Sequence, residues 1–148
     1  MANKAYNSGL ERIGNYRWDV DLKDIGVLLV ENTYIFDPSH TSLLDVVTHE
    51  ASGTGYGRRR ITFANRSTSS SSDGGSLLVA DGTVFWSFID AGTDLRVILF
   101  FSDTNLDNNS NPLLCYYDTG SNIPIDTDGG DVALNFNSLG ALRLKNVS

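Results

Sequence analysis

At 148 residues, the chain has the length of one domain able to bury its own core, and it is too short for two ordinary domains. A hydrophobic fraction of 41% with 20% charged residues is that of a globular protein, while 14 glycines and abundant Ser, Thr, Asn and Asp leave little room for long helices. A formal charge of −7 argues against a nucleic-acid partner, because affinity for phosphate backbones comes mainly from Lys and Arg.

The opening MANKAYNSGLERIG has no apolar stretch of signal-peptide length, and the longest aliphatic and aromatic run, Val97 to Phe101, is far shorter than a membrane span. Synthesis in the cytoplasm without export, and no membrane partner, are therefore expected. Asn3 can cap a short helix that places Tyr6, Leu10 and Ile13 on one face and ends at Gly14, with Gly9 weakening it. Residues 1–14 thus read as an N-terminal helix or arm, serving equally well for docking or as a lid over the end of a sheet. IGVLLVE, from Ile25 to Glu31, reads as a strand, and Asp37-Pro38 as the turn that follows. Ser42 and Asp45 have capping-box form for a second short helix, with Leu43, Val46 and Val47 apolar and His49 at its end, where it suits the dipole.

Next comes GTGYGRRR, from Gly53 to Arg60, which invites comparison with a phosphate cradle. Such a cradle needs the glycines to follow a strand and open a helix, so that helix N-terminal amides meet the anion. Here the preceding LLDVVTHEAS is helix-like, the following RITF is strand-like, and no Lys-Ser or Lys-Thr pair is present. The glycines are expected to serve unusual backbone angles instead. On a strand Arg58 and Arg60 share one side and Arg59 the other, so in so acidic a chain they should meet Asp or Glu, within the protein or across an interface.

Beyond residue 57 the pattern is β throughout: RITFANR, SLLVA, TVFWSF, LRVILFF, LLCYY, VALNF and LGALRL are short apolar or alternating runs between turn residues. Asp81-Gly82 is the favoured pair for a tight hairpin between two of these runs. Val97 to Phe101 lacks polar alternation and should lie centrally, covered on both faces. The tract STSSSSDGG, residues 67–75, reads as a flexible serine-rich surface loop. The expected fold is a mainly β single domain over 1–148, a β-sandwich or jelly-roll-like barrel with one or two short accessory helices.

Chemistry-bearing residues are sparse. Cys115 is the single cysteine, which excludes an intrachain disulfide, and in LLCYY it reads as core. His40 and His49 lack the spacing that would put two ligands on one helical face. Asp103, Asn105 and Asp107 open like a calcium loop, but Asn108 stands where glycine is needed and Leu114 where a bidentate Glu is needed. Asp126, Asp128 and Asp131 form a second oxygen-rich turn. No nucleophile-elbow motif is present. The expectation is a non-enzymatic protein without catalytic residues, cofactor or metal; a calcium-dependent ligand-binding β-sandwich is the alternative from another class.

MANKAYNSGLER, VLLVENTYIFDPSHTSLLDVVTHEASGTGYGRR, ADGTVFWSF and VALNFNSLGALRLKN together resemble a family of small virion structural proteins of tailed bacteriophages, most specifically over Asp45 to Tyr56. Some members are similar to capsid decoration, or cement, proteins: β-rich, often trimeric knobs on the outside of the head. The Arg58–Arg60 block and the serine tract depart from that pattern. The resemblance implies a homotrimer bound to the major capsid protein on the outer capsid surface of the virion, with a tail, baseplate or fibre-associated role as the alternative. Tyr6, Leu10, Ile13, Arg58 and Arg60 are the candidate interface residues.

Overall fold

The computed structural model describes residues 4–14, 24–61, 65–71, 74–80, 82–102, 105–119, 123–136 and 142–143. In chain order the elements are Lys4–Ala5 (β1), Asn7–Gly14 (α1), Asp24–Val30 (β2), Arg59–Arg60 (β3), Asn65–Ser71 (β4), Gly74–Ala80 (β5), Gly82–Trp86 (β6), Arg96–Ser102 (β7), Leu113–Tyr117 (β8), Val132–Phe136 (β9) and Leu142–Arg143 (β10). The protein is mainly β, with few and short helices.

A five-stranded antiparallel sheet in the order β1-β8-β7-β2-β3 organises the molecule. Its middle strand is β7, and the absence of polar alternation there has the expected cause: both faces are covered. Val97, Leu99 and Phe101 join Ile25, Val27 and Leu29 of β2 in one buried cluster, completed by Val84 and Trp86 of β6 and Leu134 of β9. Ile98 and Phe100 point the other way, into a second cluster with Leu28, Val30, Tyr6, Tyr34, Leu43 and Tyr116. A β6–β9 ribbon thus covers one face of the main sheet, giving sandwich-like packing, while the N-terminal segment and residues 34–46 cover the other. Gly26 sits directly opposite Phe100, and a Cβ there would run into the phenyl ring. The glycine leaves room for the aromatic that fills that layer.

Four expectations are corrected. The N-terminal helix begins at Asn7 rather than before Tyr6; the expected cap, Asn3, lies outside the described residues. Tyr6 precedes the helix as a buried plug whose carbonyl accepts the Leu10 amide at 3.0 Å. Gly9 lets the helix press on the strand, since a Cβ there would meet the Leu114 carbonyl, and the Ser8 hydroxyl donates to Leu113 O at 2.8 Å. The segment after Ser42 forms two 3-10 turns, Leu43–Asp45 and Val47–His49, instead of one helix. The capping logic survives: the Asp45 carboxylate accepts the Thr41 and Ser42 amides at 2.8 and 3.2 Å, which lowers its pKa.

Residues 67–71 and 74–75 are strand rather than loop: β4 pairs antiparallel with β5 from Asn65↔Ala80 to Ser71↔Gly74. Serine side chains say that a segment is solvent-compatible, but any residue can supply a ladder of backbone hydrogen bonds. The hairpin expected at Asp81-Gly82 does not join paired strands. Among the described residues β5 pairs with β4 and β10, whereas β6 pairs with β9, placing Gly82 opposite Phe136; Asp81 lies outside the described residues. Among the described residues, no helix is long and apolar enough to cross a membrane.

Candidate interaction surface

The glycine segment is fixed at its two ends by one polar network. Glu50 forms an isolated bridge with Val30 of β2, and its carboxylate takes a two-pronged grip from Arg58: Nε to Oε1 at 2.9 Å and Nη2 to Oε2 at 2.7 Å. The Tyr56 hydroxyl donates to the same Oε1 at 2.8 Å while accepting the Leu29 amide at 3.2 Å. Arg58 also donates to Leu106 O and Asn109 Oδ1, tying in the 105–111 loop. The ion pair is mostly out of water, with side-chain exposures of 7% for Arg58 and 15% for Glu50, and the carboxylate raises the guanidinium pKa further.

Between these anchors the loop lies backbone to backbone against residues 87–91. Asp90 N–H donates to Thr54 O at 2.8 Å. Gly53 has φ 152° and Gly55 φ 76°, and a Cβ on Gly55 would stand 2.6 Å from Phe88 O, while one on Gly53 would collide with Asp90 O. These two glycines therefore provide both the backbone angles and the close approach, which agrees with the conformational role expected of them. The indole N–H of buried Trp86 closes the contact, donating to Gly57 O at 2.7 Å.

On its other side the same turn is held by the DTDGGD segment. Ile89 N–H donates to Gly130 O at 2.9 Å, Gly129 N–H to Ile89 O at 2.8 Å, and Phe88 N–H to Asp131 Oδ1 at 3.0 Å. Thr127 Oγ1 accepts the Ala91 and Gly92 amides and donates to Gly92 O at 2.6 Å. At the apex Phe88 has φ 52°, an unfavourable conformation for a bulky residue, and the residue is 73% exposed. Phe85, in the strand leading into the turn, is 51% exposed, while Trp86 and Ile89 on either side of the apex are buried. Two motifs far apart in sequence thus brace one turn, and what that turn presents to solvent is aromatic.

The candidate interface residues are not brought together. Tyr6 is fully buried, donating or accepting with Tyr34 Oη at 2.9 Å, so it is core and cannot reach a partner. Leu10 on α1 is 37% exposed; Ile13 lies in α1, and its side chain is outside the described residues. Arg58 is consumed within the chain by Glu50. Arg60 is half-buried in β3, at the sheet edge opposite the one carrying β1. Among the described residues, α1 with Leu10 packs on β8, near one edge of the main sheet, and Arg60 lies on β3 at the other. Phe88 is the residue that strand alternation misplaces, because TVFWSF read as one strand sends it inward beside Val84 and Trp86, whereas Phe85 is exposed as alternation requires.

Both histidines and several of the acidic and amide turn residues are engaged locally. His40 Nδ1 lies 2.9 Å from the Tyr34 hydroxyl, and His49 Nδ1 3.3 Å from Thr33 Oγ1. Asn105 and Asn108 accept amides of Asp107 and Ser110 as turn-makers, and Asp126 and Asp128 do the same for Asp94 and Gly130; Asp103 lies outside the described residues. Among the described residues, no group of three or more His, Cys, Asp or Glu is placed to hold a metal ion. Cys115 is buried and desolvation pushes its thiol up to about 12. Iodoacetamide at neutral pH is expected to leave it unmodified in the folded protein and to label it fully after denaturation. Rapid labelling of the native protein would show that the strand opens.

No family model matches this chain, and no curated protein or solved structure matches it.

Proposed function

We propose that this protein is a non-enzymatic structural component of a tailed-bacteriophage virion, a cement protein that decorates the outer capsid surface as a homotrimer and stabilises the major capsid protein lattice. The observation that carries this reading is the Phe88 turn: a bulky residue in a disfavoured conformation, braced from both sides and aimed into water. A fixed exposed aromatic loses little conformational freedom on binding, which suits an interface anchor. Engagement of the histidines, the cysteine and the acidic turns in local hydrogen bonds or core packing is compatible with a role without chemistry. Several modest contacts per subunit, multiplied by a trimer on a local three-fold axis, would give tight attachment. The whole-chain resemblance to phage virion proteins points to the same partner.

The test is addition of the purified protein to phage heads lacking it. Co-sedimentation with the heads, and a higher temperature for heat-induced release of their DNA, are expected. Absence of both would overturn the reading, and immunogold signal confined to tails would replace the head with the tail as its site.

A further inference from the structure

We propose that the Phe88 turn docks into a partner surface of defined chemistry: an apolar pocket rimmed by Lys or Arg side chains. The knob is Phe88, 73% exposed, with the half-exposed Phe85 in the strand leading to it. Its collar is acidic: Asp90 follows the apex, Asp131 holds the Phe88 amide, and Asp128 caps the Gly129-Gly130 segment that pairs with Ile89; all three are exposed. Two of the arginines are already paired with acids, Arg58 with Glu50 and Arg96 with Asp94 at 2.9 Å; Arg59 donates to the neutral Arg58 carbonyl and keeps its charge.

Charge complementarity chooses the occupant. A second copy meeting this face across a two-fold axis would set Asp90, Asp128 and Asp131 against their own images, in a chain already carrying −7. The face is therefore unsuited to a two-fold contact with its own copy, and the occupant its charge selects is a partner with a basic rim. An aromatic anchor inside a rim of opposite charge combines slow dissociation with salt-sensitive attraction.

This inference deepens the proposed function and, in its first test, rests on it. Binding of the wild type, Phe88→Ala and the pair Asp90→Asn with Asp128→Asn to heads would be followed by sedimentation across a salt series, with melting curves confirming folded variants. Phe88→Ala is expected to weaken attachment at least about tenfold. The Asn pair should weaken it at low salt and flatten its salt dependence. Unchanged attachment of Phe88→Ala, or no change in salt dependence for the Asn pair, would overturn the inference while leaving the decoration reading intact.

If the wild type does not bind heads, the decoration reading fails and a second measurement decides the inference. In it, amide NMR shifts are recorded with a Lys-Leu-Leu-Lys peptide and its Glu-Leu-Leu-Glu counterpart. Shifts confined to residues 85–91 and 128–131, with the lysine peptide alone, sustain the pocket chemistry; no such shifts overturn it. Loss of self-association in Phe88→Ala, by analytical ultracentrifugation, would also overturn it, by making the occupant a second copy.

Discussion

Glu50→Ala is expected to lower the stability of this protein by about 3 kcal/mol, near the lower end of what breaking a buried ion pair costs. The loss has a specific anatomy. Arg58 would keep its bonds to Leu106 O and Asn109 Oδ1, but its 7% exposed side chain would lose the carboxylate paired with it and retain only the weaker influence of Asp107, and Tyr56 would lose the acceptor of its hydroxyl proton. Leaving those groups unpaired, rather than losing a favourable contact, is what makes the substitution severe. Arg58→Met should be comparably severe, because the carboxylate would then keep only Tyr56 among these partners. The double variant should be milder than the sum of the two. Urea denaturation of all four proteins measures this directly. A loss below about 1 kcal/mol in each single variant would mean that the pair behaves as a screened surface contact.

The network also shows where sequence reading reaches and where it stops. That Arg58 would meet an acid follows from charge balance; that the acid is Glu50, inside the same chain, depends on the turn made by the intervening glycines. β2, β7 and β8 were legible because burial on both faces leaves a continuous apolar run, and the order of the sheet places β7 in its middle as that run requires. Local turn chemistry misled at Asp81-Gly82: the pair suits a hairpin, yet β6 takes β9 as its partner from far along the chain. Composition misled at the serine tract, since polarity reports exposure and not whether a backbone is paired.

The candidate surface was the least legible part, and the reason is physical. Alternation assigns Phe88 to the core face, but its φ of 52° ends the strand at Trp86 and turns the ring outward. What stabilises that reversal is contributed by Gly53, Gly55 and Asp131, none of them a sequence neighbour of Phe88. The glycines announced unusual backbone; only the fold tells which other segment they exist to approach. Tyr6 illustrates the converse, being assigned to an interface because it shares a helical face with Leu10, whereas the helix starts one residue later and the phenol is driven inward.

Gly55→Ala is the sharpest test of that account, and Gly129→Ala is its control. Both glycines have positive φ, 76° and 90°, so an alanine at either is strained by about 1–2 kcal/mol. They differ in space: a Cβ on Gly129 has nothing within 4 Å, whereas on Gly55 it would press on the carbonyls of Phe88 and Ser87 at 2.6 and 2.9 Å. Backbone on both sides cannot yield as a flexible side chain would, so the loop and the turn must separate. Gly55→Ala is therefore expected to cost about 3 kcal/mol or more, roughly twice the control. Hydrogen exchange should locate the damage. The Asp90 amide, bonded to Thr54 O at 2.8 Å, should lose protection in Gly55→Ala and keep it in Gly129→Ala. Equal losses in the two variants, with the Asp90 amide protected in both, would reduce Gly55 to a conformational requirement and remove the brace from the explanation of Phe88. If the brace holds, Gly55→Ala should also weaken attachment to heads while leaving Phe88 itself in place, because an anchor that wanders must be ordered again on binding.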